Sequence, residues 1–294
     1  MATEPLIDRH FLEKLERLTI RWQKSFAGLV GGHNRSHFAG AGQEFLDHRN
    51  FHHGDDLRAV NWRAYMRLEK LFLKMFQIEP RVPVRMLIDT SQSMATDAGA
   101  KFDYTRRLAA ALAYVGLVRL DTIVMHPFAG RLGDAHICSG GRHRFAPVAD
   151  YLTSLEMAGA TDFFPVARQF VNKYLNRGLV IIISDFLSEA DFEKPLQYLA
   201  EFGHELFLVH LWAEEDRTPP WDGELELTDA ESGAKVELDF DAEARARYTL
   251  AFDEHCERLR RTALSHSGRY VGLSTSTSVE EAIFGPIVRA RGVA

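Results

Sequence analysis

The chain has 294 residues, of which 46% are hydrophobic and 26% charged, and its formal net charge is −6. This composition is typical of a globular protein, and the length allows one large domain or two smaller ones. The negative charge provides no overall basic surface, so we expect no nucleic-acid partner. The two cysteines, Cys138 and Cys256, are far apart and form no CxxC pair. A disulfide framework is therefore not expected, and a reducing compartment is indicated.

The beginning of the chain does not resemble a secretion signal. It is charged throughout and lacks an apolar segment followed by a small-residue cleavage site. The longest apolar run, residues 108–118, is short against the roughly 20 residues that a membrane span requires. We therefore expect a buried helix at this position, no membrane span and a cytoplasmic protein.

The first 80 residues give mixed signals. Apolar residues recur with helical spacing near the N-terminus and predict an amphipathic helix: Phe11, Leu15, Leu18 and Trp22. Residues 28–56 are rich in Gly, His and Asp, which favours loops with short strands. The aromatic and aliphatic stretch at 70–79 predicts a strand.

From residue 82 onward, predicted strands and helices alternate. The strands are 82–89, 122–129, 178–185, 205–212 and 269–275, and the helices are 101–119, 147–156, 163–175, 189–201, about 248–263, and 279–284. Such alternation predicts an α/β fold with a doubly wound, mainly parallel sheet.

An acidic segment at 214–243 interrupts this alternation. It holds twelve Asp or Glu residues against Arg217 and Lys235. Two alternating stretches flank a Glu-Ser-Gly turn, so we predict a β-hairpin insertion at about 214–240, most simply a solvated one.

Oxygen-bearing side chains follow two predicted strands. Asp89 ends one strand and is followed at alternate positions by Ser91 and Ser93, while Asp185 ends another. Ligands in open α/β sheets bind at the carboxyl ends of strands. A carboxylate and hydroxyls are ligands for Mg²⁺ or Ca²⁺ rather than zinc, and the Gly-Ala-Thr-Asp loop at 159–162 is a candidate for further oxygen ligands. Because such loops lie at the surface, substitution of Asp89 is expected to leave the fold intact.

The order of these motifs resembles the metal-ion-dependent adhesion site of von Willebrand factor A domains. An apolar strand with DxSxSM, a Gly-x-Thr loop and an apolar strand ending in Ser-Asp occur in that family's order and spacing. The resemblance implies a von Willebrand A-like fold at 81–294. It also implies Mg²⁺, or Mn²⁺ or Ca²⁺, held by Asp89, Ser91, Ser93, Thr161 and Asp185, with an open position for a partner's carboxylate.

The upstream sequence resembles the bacterial domain-of-unknown-function family fifty-eight (DUF58), and would form a family-specific segment or subdomain over residues 1–80. Residues carrying this likeness are Gly42, Glu44, Phe45, Arg49, Gly54, Asp55, Asp56, Arg58, Trp62 and Lys74. Members often occur beside MoxR-type AAA+ ATPases. The resemblance therefore implies a metal-dependent protein-binding module, not an enzyme, acting as partner or adaptor of such an ATPase in protein assembly or maturation.

Other interpretations remain open. Asp89 could begin a phosphatase-like hydrolase site, although such sites use a DxD pair and position 91 is serine. The chain could also be a structural scaffold with an unused metal site, and DTSQSM could simply cap a helix. The Gly54-Asp55-Asp56-x-Arg58 segment is read either as a turn held by ion pairs or as a partner contact. Histidines 33, 37, 48, 52 and 53 could suggest zinc, and HxxxH spacing occurs at 33–37, but the Gly and Asn residues around it do not favour a helix and no Glu follows His33. Surface or hydrogen-bonded histidines are therefore preferred to a zinc site.

Overall fold

The structure is a computed structural model that describes residues 5–21, 44–53, 57, 60–77, 83–96, 99–188, 191–231 and 233–294; for 44–49 and 74–77 it describes only the backbone. Contacts between Cα atoms divide the chain into two compact units. One comprises Met1–Ser25 with Val82–Ala294, and the other comprises Phe26–Arg81. The N-terminal helix thus belongs with the later part of the chain.

The larger unit is built on a six-stranded sheet with the order β10-β7-β6-β3-β4-β5. Its strands are parallel except for β5, which runs antiparallel to β4 at the edge. The strands are β3 (Val84–Asp89), β4 (Ile123–Phe128), β5 (His136–Cys138), β6 (Leu179–Ser184), β7 (Glu205–Trp212) and β10 (Arg269–Ser274). Every residue of β3 and β6 is buried, as expected for central strands that are covered on both faces.

Helices cover both faces of this sheet. The helices of the larger unit are α1 (Arg9–Leu15), α3 (Ala100–Val118), α4 (Phe145–Thr153), α5 (Phe163–Lys173), α6 (Glu193–Glu201), α7 (Glu214–Arg217), α8 (Ala242–Ser265) and α9 (Val279–Ala282), which continues into a π-helical turn, Ile283–Ile287. Apolar residues of α5, α6 and α8 form one core with Leu87, Val180 and Leu208 of the sheet. Helix α3 packs against β3, β4, β6 and β7 from the other face. The predicted α/β class with a doubly wound, mainly parallel sheet is confirmed.

The N-terminal helix is shorter than its apolar spacing predicts. It ends at Leu15, although Leu18 beyond it is still buried, and Trp22 lies outside the described residues. The chain then runs extended and forms an isolated bridge between Ile20 and Val293. The backbone groups of Thr19 and Ala294 exchange two hydrogen bonds, at 2.7 and 2.9 Å. This pairing replaces the last predicted turns of the helix.

The predicted hairpin is present and consists of β8 (Gly223–Thr228) and β9 (Lys235–Phe240). Its alternation leaves mostly exposed side chains until Phe240, which is buried at the base. There Phe240 packs against Trp221 and against Tyr248 of α8. The base of the hairpin is therefore anchored on the larger unit, while most of its length faces solvent.

The smaller unit contains an antiparallel pair, β1 (Glu44–Asn50) with β2 (Phe72–Gln77), joined through α2 (Trp62–Leu68). Strand β2 lies within the stretch predicted as a strand, whereas α2 has no clear apolar periodicity and was not predicted. Asn61 caps α2, and Glu69 ends it with a left-handed φ of 55°. The predicted turn at Gly54-Asp55-Asp56-x-Arg58 lies outside the described residues, as does Gly42.

None of the helices in the described part of the chain has both the length and the apolar character that a membrane span requires. The apolar run at 108–118 lies in α3, where it is almost completely buried against the sheet and neighbouring helices.

Candidate functional site

The candidate site lies where the sheet changes its winding direction. Strands β3 and β6 are parallel neighbours, with Ile88 opposite Ile183. The chain leaves β3 through α3 towards β4, and leaves β6 through α6 towards β7, so the two connections diverge. A crevice forms at the carboxyl ends of strands at such a point. Asp89 and Asp185 therefore end at the same edge of the sheet, as the sequence predicts.

Asp89 is fully buried and hydrogen-bonded through both carboxylate oxygens. Its Oδ1 accepts from the Ser91 backbone N–H at 2.9 Å, and its Oδ2 accepts from the Ser184 hydroxyl at 2.5 Å. Burial and the nearby Asp185 carboxylate raise the pKa of Asp89 to about 7, against the lowering effect of these hydrogen bonds. The carboxyl group is thus held in place by two hydrogen-bond donors, and no described Lys, Arg or His forms an ion pair with it.

Two hydroxyls lie directly after this strand. The Oγ atoms of Ser91 and Ser93 are 2.9 Å apart and hydrogen-bonded to each other. Ser91 precedes a short 3₁₀ helix, Gln92–Ala95, and is fully buried, whereas Ser93 within that helix is half-buried. The helix brings the alternate hydroxyls of the DxSxS motif together.

The loop that carries Thr161 is attached to the DxSxS loop by backbone hydrogen bonds. The Ala158 N–H donates to the Thr90 carbonyl at 2.8 Å, and the Gln92 N–H donates to the Gly159 carbonyl at 2.9 Å. Gly159 has a φ of +81°, a left-handed conformation that glycine adopts without steric cost. Thr161 itself is only 7% exposed. The Gly-x-Thr loop therefore lies beside the DxSxS loop, as the motif predicts.

Asp185 lies in a tight turn after β6. Its Oδ1 accepts from the Leu187 backbone N–H at 3.1 Å, and the intervening Phe186 has a φ of +52°, an uncommon conformation for a bulky residue. The Ser188 hydroxyl donates to the Thr161 carbonyl at 3.0 Å, which connects this turn to the Gly-x-Thr loop. All three loops that carry predicted site residues are thus hydrogen-bonded to a neighbouring loop or strand end.

A buried lysine provides a cation next to this group. Lys101 of α3 is fully buried, and its Nζ lies 2.8 Å from Asp185 Oδ2 and 3.1 Å from Asp216 Oδ2. Burial favours the neutral amine, but the two carboxylates outweigh it, so the pKa of Lys101 is raised. Asp216 also accepts from the Ala213 N–H at 2.8 Å at the start of α7. The ammonium therefore neutralises Asp185 rather than Asp89.

The acidic hairpin also reaches the site. Glu231, in the turn between β8 and β9, accepts from the Thr161 backbone N–H at 3.0 Å through Oε2. Its Oε1 accepts from the Thr161 hydroxyl at 3.2 Å. Glu231 belongs to the segment that the sequence predicts to be solvated, but it is bound to Thr161, one of the five predicted site residues.

Sequence reasoning did not identify four residues of this site: Lys101, Ser184, Asp216 and Glu231. The sequence does indicate Ser184, because it belongs to the Ser-Asp end of the apolar strand. A weaker indication existed for Lys101, since it lies in the first turn of the helix that contains the longest apolar run of the sequence. Nothing in the sequence indicates Asp216 or Glu231 beyond the acidity of their segment, because their partners Lys101 and Thr161 are remote in the sequence.

The expectation that Asp89 lies in an exposed loop was wrong. Both Asp89 and Ser91 are fully buried, since the Ser184 hydroxyl and a backbone N–H replace water around the carboxylate. Replacing Asp89 by Ala would leave these donors without an acceptor, which costs about 1–3 kcal/mol for each buried group. Asn is therefore the less disruptive substitution at this position.

The chemistry of the donor set fits a hard divalent cation. Two carboxylates and three hydroxyls lie on hydrogen-bonded loops, and over the described residues no ion pair involves the Asp89 carboxyl group. Residues Asp89, Ser91, Ser93, Thr161 and Asp185 would hold Mg²⁺ through oxygen. Over the described part of the chain, no group of three or more His, Cys, Asp or Glu is arranged to bind a metal, so this site depends on hydroxyls. His33 and His37 lie outside that part, and His52 and His53 are exposed.

Comparison with known proteins places these observations in a family. The sequence profile of "Protein of unknown function DUF58" matches residues 47–258. The uncharacterized protein Rv1480 of Mycobacterium tuberculosis is 25% identical over 255 residues, covering 84% of this chain and 80% of the relative. Among solved structures, the conserved hypothetical protein BatB from Bacteroides thetaiotaomicron has 18% identity and a TM-score of 0.43, covering 71% of this chain and 98% of that one. The VWA domain of SpRpn10 has 14% identity and a TM-score of 0.37, covering 69% and 93%.

The match extends over most of the chain and includes the strands, loops and helices that form the candidate site. The chain belongs to the DUF58 family of proteins of unknown function.

Proposed function

We propose that this protein is a metal-dependent protein-binding module rather than an enzyme. Asp89, Ser91, Ser93, Thr161 and Asp185 would hold Mg²⁺, with Mn²⁺ or Ca²⁺ as alternatives, at the carboxyl ends of β3 and β6. The observation that carries the proposal is the mutual attachment of the three loops. Ser184 binds Asp89 at 2.5 Å, and backbone hydrogen bonds join the DxSxS loop to the Gly-x-Thr loop.

The charge balance supports a site of modest affinity. Lys101 already neutralises Asp185, so the cation would balance mainly Asp89. When bound, the ion supplies positive charge and an open coordination position for an oxygen ligand. An incoming Asp or Glu of a partner protein would provide both the missing charge and the missing oxygen.

A metal titration tests the first half of the proposal. Mg²⁺ should bind wild-type protein weakly in calorimetry, and Asp89→Asn and Ser93→Ala should each reduce the affinity by at least about tenfold, the loss expected for one charge-assisted contact. Ser154→Ala is the control, because it removes an exposed hydroxyl at the end of α4. Equal Mg²⁺ affinity in all four proteins would exclude these residues as ligands and favour the structural-scaffold interpretation.

A capture experiment tests the second half. The partner we propose is a MoxR-type AAA+ ATPase, or the client protein on which it acts. Immobilised wild-type chain should capture a MoxR-type AAA+ ATPase from the same organism in the presence of Mg²⁺, and chelator should abolish capture reversibly. Ser93→Ala should capture little in either condition. Capture that is independent of both chelator and Ser93 would mean that the partner docks elsewhere.

A further inference from the structure

The hairpin turn and the Gly-x-Thr loop form a specific contact that the solvated insertion predicted from sequence does not explain. The two Glu231 carboxylate oxygens accept one hydrogen bond each from the N–H and the hydroxyl of Thr161. These two donors belong to one residue, so they form a small receptor for a carboxylate. Glu231 is half-buried, whereas the neighbouring turn residues Asp229, Ala230 and Gly233 are exposed.

The turn is built to present this carboxylate. Asp229 accepts from the Glu231 backbone N–H at 3.1 Å through Oδ1, and its own N–H donates to the Ala234 carbonyl at 2.8 Å. The Gly233 N–H closes the turn on the Asp229 carbonyl at 3.0 Å. Glu231 therefore projects from a hydrogen-bonded turn at the tip of a hairpin whose base is held by Phe240.

The contact uses only one side of Thr161. A hydroxyl has one proton to donate and two lone pairs that can accept. Thr161 can therefore donate its hydroxyl proton to Glu231 while both lone pairs of the same oxygen stay able to accept. The contact needs no metal, and Glu231 occupies both Thr161 donors, so any other carboxylate that binds them must replace it.

We propose that Glu231 is an internal ligand of this site, and that the natural partner presents an acidic side chain on a tight turn that displaces it from Thr161. The proposal rests on the proposed role of the site in partner binding, and adds the chemistry of the partner's contact. The hairpin then acts as a competitor. The apparent affinity for the partner equals the intrinsic affinity multiplied by the fraction of molecules in which Glu231 has left Thr161.

Hydrogen exchange in the intact, metal-free chain tests the internal contact. Exchange of the Thr161 amide should be about tenfold faster in Glu231→Ala than in the wild type, the factor that corresponds to one net hydrogen bond. Exchange in the turn at 229–234 should rise as well. Glu237→Ala is the matched control, since it removes the same charge from an exposed position of the same hairpin. Equal exchange at Thr161 in all three proteins would overturn the proposal.

A turn peptide tests the displacement. The probe is a cyclised peptide with the sequence of residues 229–234, compared with the same peptide carrying Glu231→Gln. The acidic peptide should restore protection of the Thr161 amide in Glu231→Ala and bind the wild type at least about tenfold more weakly, because the donors there are already occupied. Protection by both peptides alike, or by neither, would contradict a carboxylate receptor. Since these measurements contain no metal, their failure would leave the Mg²⁺ titration unaffected, and the two proposals can fail separately.

Discussion

Lys101 is the residue whose role is most sharply defined by its surroundings. It is fully buried, and its ammonium lies between Asp185 and Asp216. A buried ion pair adds little stability compared with an apolar replacement of the whole group, but removing one partner leaves the others unpaired. Lys101 therefore holds together the end of β6 and the start of α7.

Replacing this lysine should be costly. Lys101→Met leaves two carboxylates without their cation, and we expect it to lower the free energy of unfolding by about 3–5 kcal/mol. Chemical denaturation without metal measures the change. Added Mg²⁺ should recover part of the loss, because a divalent ion near Asp185 supplies the missing positive charge.

The control for this substitution is Lys235→Met. Lys235 also pairs with one carboxylate, Glu226 at 2.6 Å, but both side chains are exposed on the hairpin. Exposed pairs contribute little, so this variant should unfold like the wild type. If the two variants lost stability equally, the buried network would have no special role.

Helix α3 packs closely on the sheet at Gly116. A Cβ atom added to Gly116 would approach Ile123 Cδ1 of β4 to 2.4 Å and Ile20 Cδ1 to 3.3 Å. The backbone of Gly116 is helical, so no unusual conformation requires glycine there. The small space between α3, β4 and Ile20 requires it instead. The side chain of Ile123 must move to admit even a methyl group.

Gly116→Ala should therefore destabilise the protein by about 1–3 kcal/mol, the usual cost of overpacking, despite the better helix propensity of alanine. Gly285→Ala is the matched control, because its added Cβ meets only the end of the Arg289 side chain, at 4.0 Å. Thermal unfolding compares the two. A Gly116→Ala protein as stable as the control would show that the packing adjusts without strain.

The elements of the sheet could be predicted from the sequence because each long apolar run carries its own signal. Strands β3 and β6 and helix α3 lie within a residue or two of their predicted bounds. The edge strand β5 and helix α2 could not be predicted in this way. Strand β5 has only three residues, and α2 mixes polar and apolar residues, so neither shows an apolar periodicity.

The candidate site could be predicted only where a local motif marks it. Asp89, Ser91 and Ser93 are recognisable from their spacing, and Thr161 and Asp185 from their order along the chain. Contacts such as Glu231 with Thr161 depend on how a hairpin folds back over the sheet edge, which no local pattern encodes.

On the scale of the whole molecule, buried histidines shape the response to acid. His126 of β4 is fully buried; its Nδ1 is 2.8 Å from the Gly133 carbonyl and its Nε2 is 2.8 Å from the Tyr174 hydroxyl. Burial lowers the pKa of His126, the Gly133 hydrogen bond opposes this, and Lys173 adds to the lowering. The neutral ring can donate to one partner and accept from the other.

The sign of the pH effect follows from this lowered pKa. Below about pH 6.5 the unfolded chain binds a proton at His126 that the folded chain excludes, so acidification favours unfolding. His126→Gln should lose this contribution. The difference in unfolding free energy between about pH 7.5 and about pH 5.5 should therefore be smaller in the variant than in the wild type.

His143→Gln serves as the control, since His143 is exposed and its ring meets water in both states. Wild type and both variants are compared by denaturant titration at the two pH values. An unchanged pH dependence in His126→Gln would mean that its proton uptake does not differ between the folded and unfolded chain.

The backbone pairing of Thr19 with Ala294 has a consequence for the order in which the protein can fold. Contacts between segments remote in sequence form late, because the entropy of closing the intervening chain must be overcome first. The segment after α1 cannot complete its hydrogen bonds until residues 292–294 have left the ribosome, and Phe11 must likewise await Phe284, 6.5 Å from it in the folded protein. During synthesis, α1 and the segment after it therefore remain without these partners until the residues that pair with them have been made.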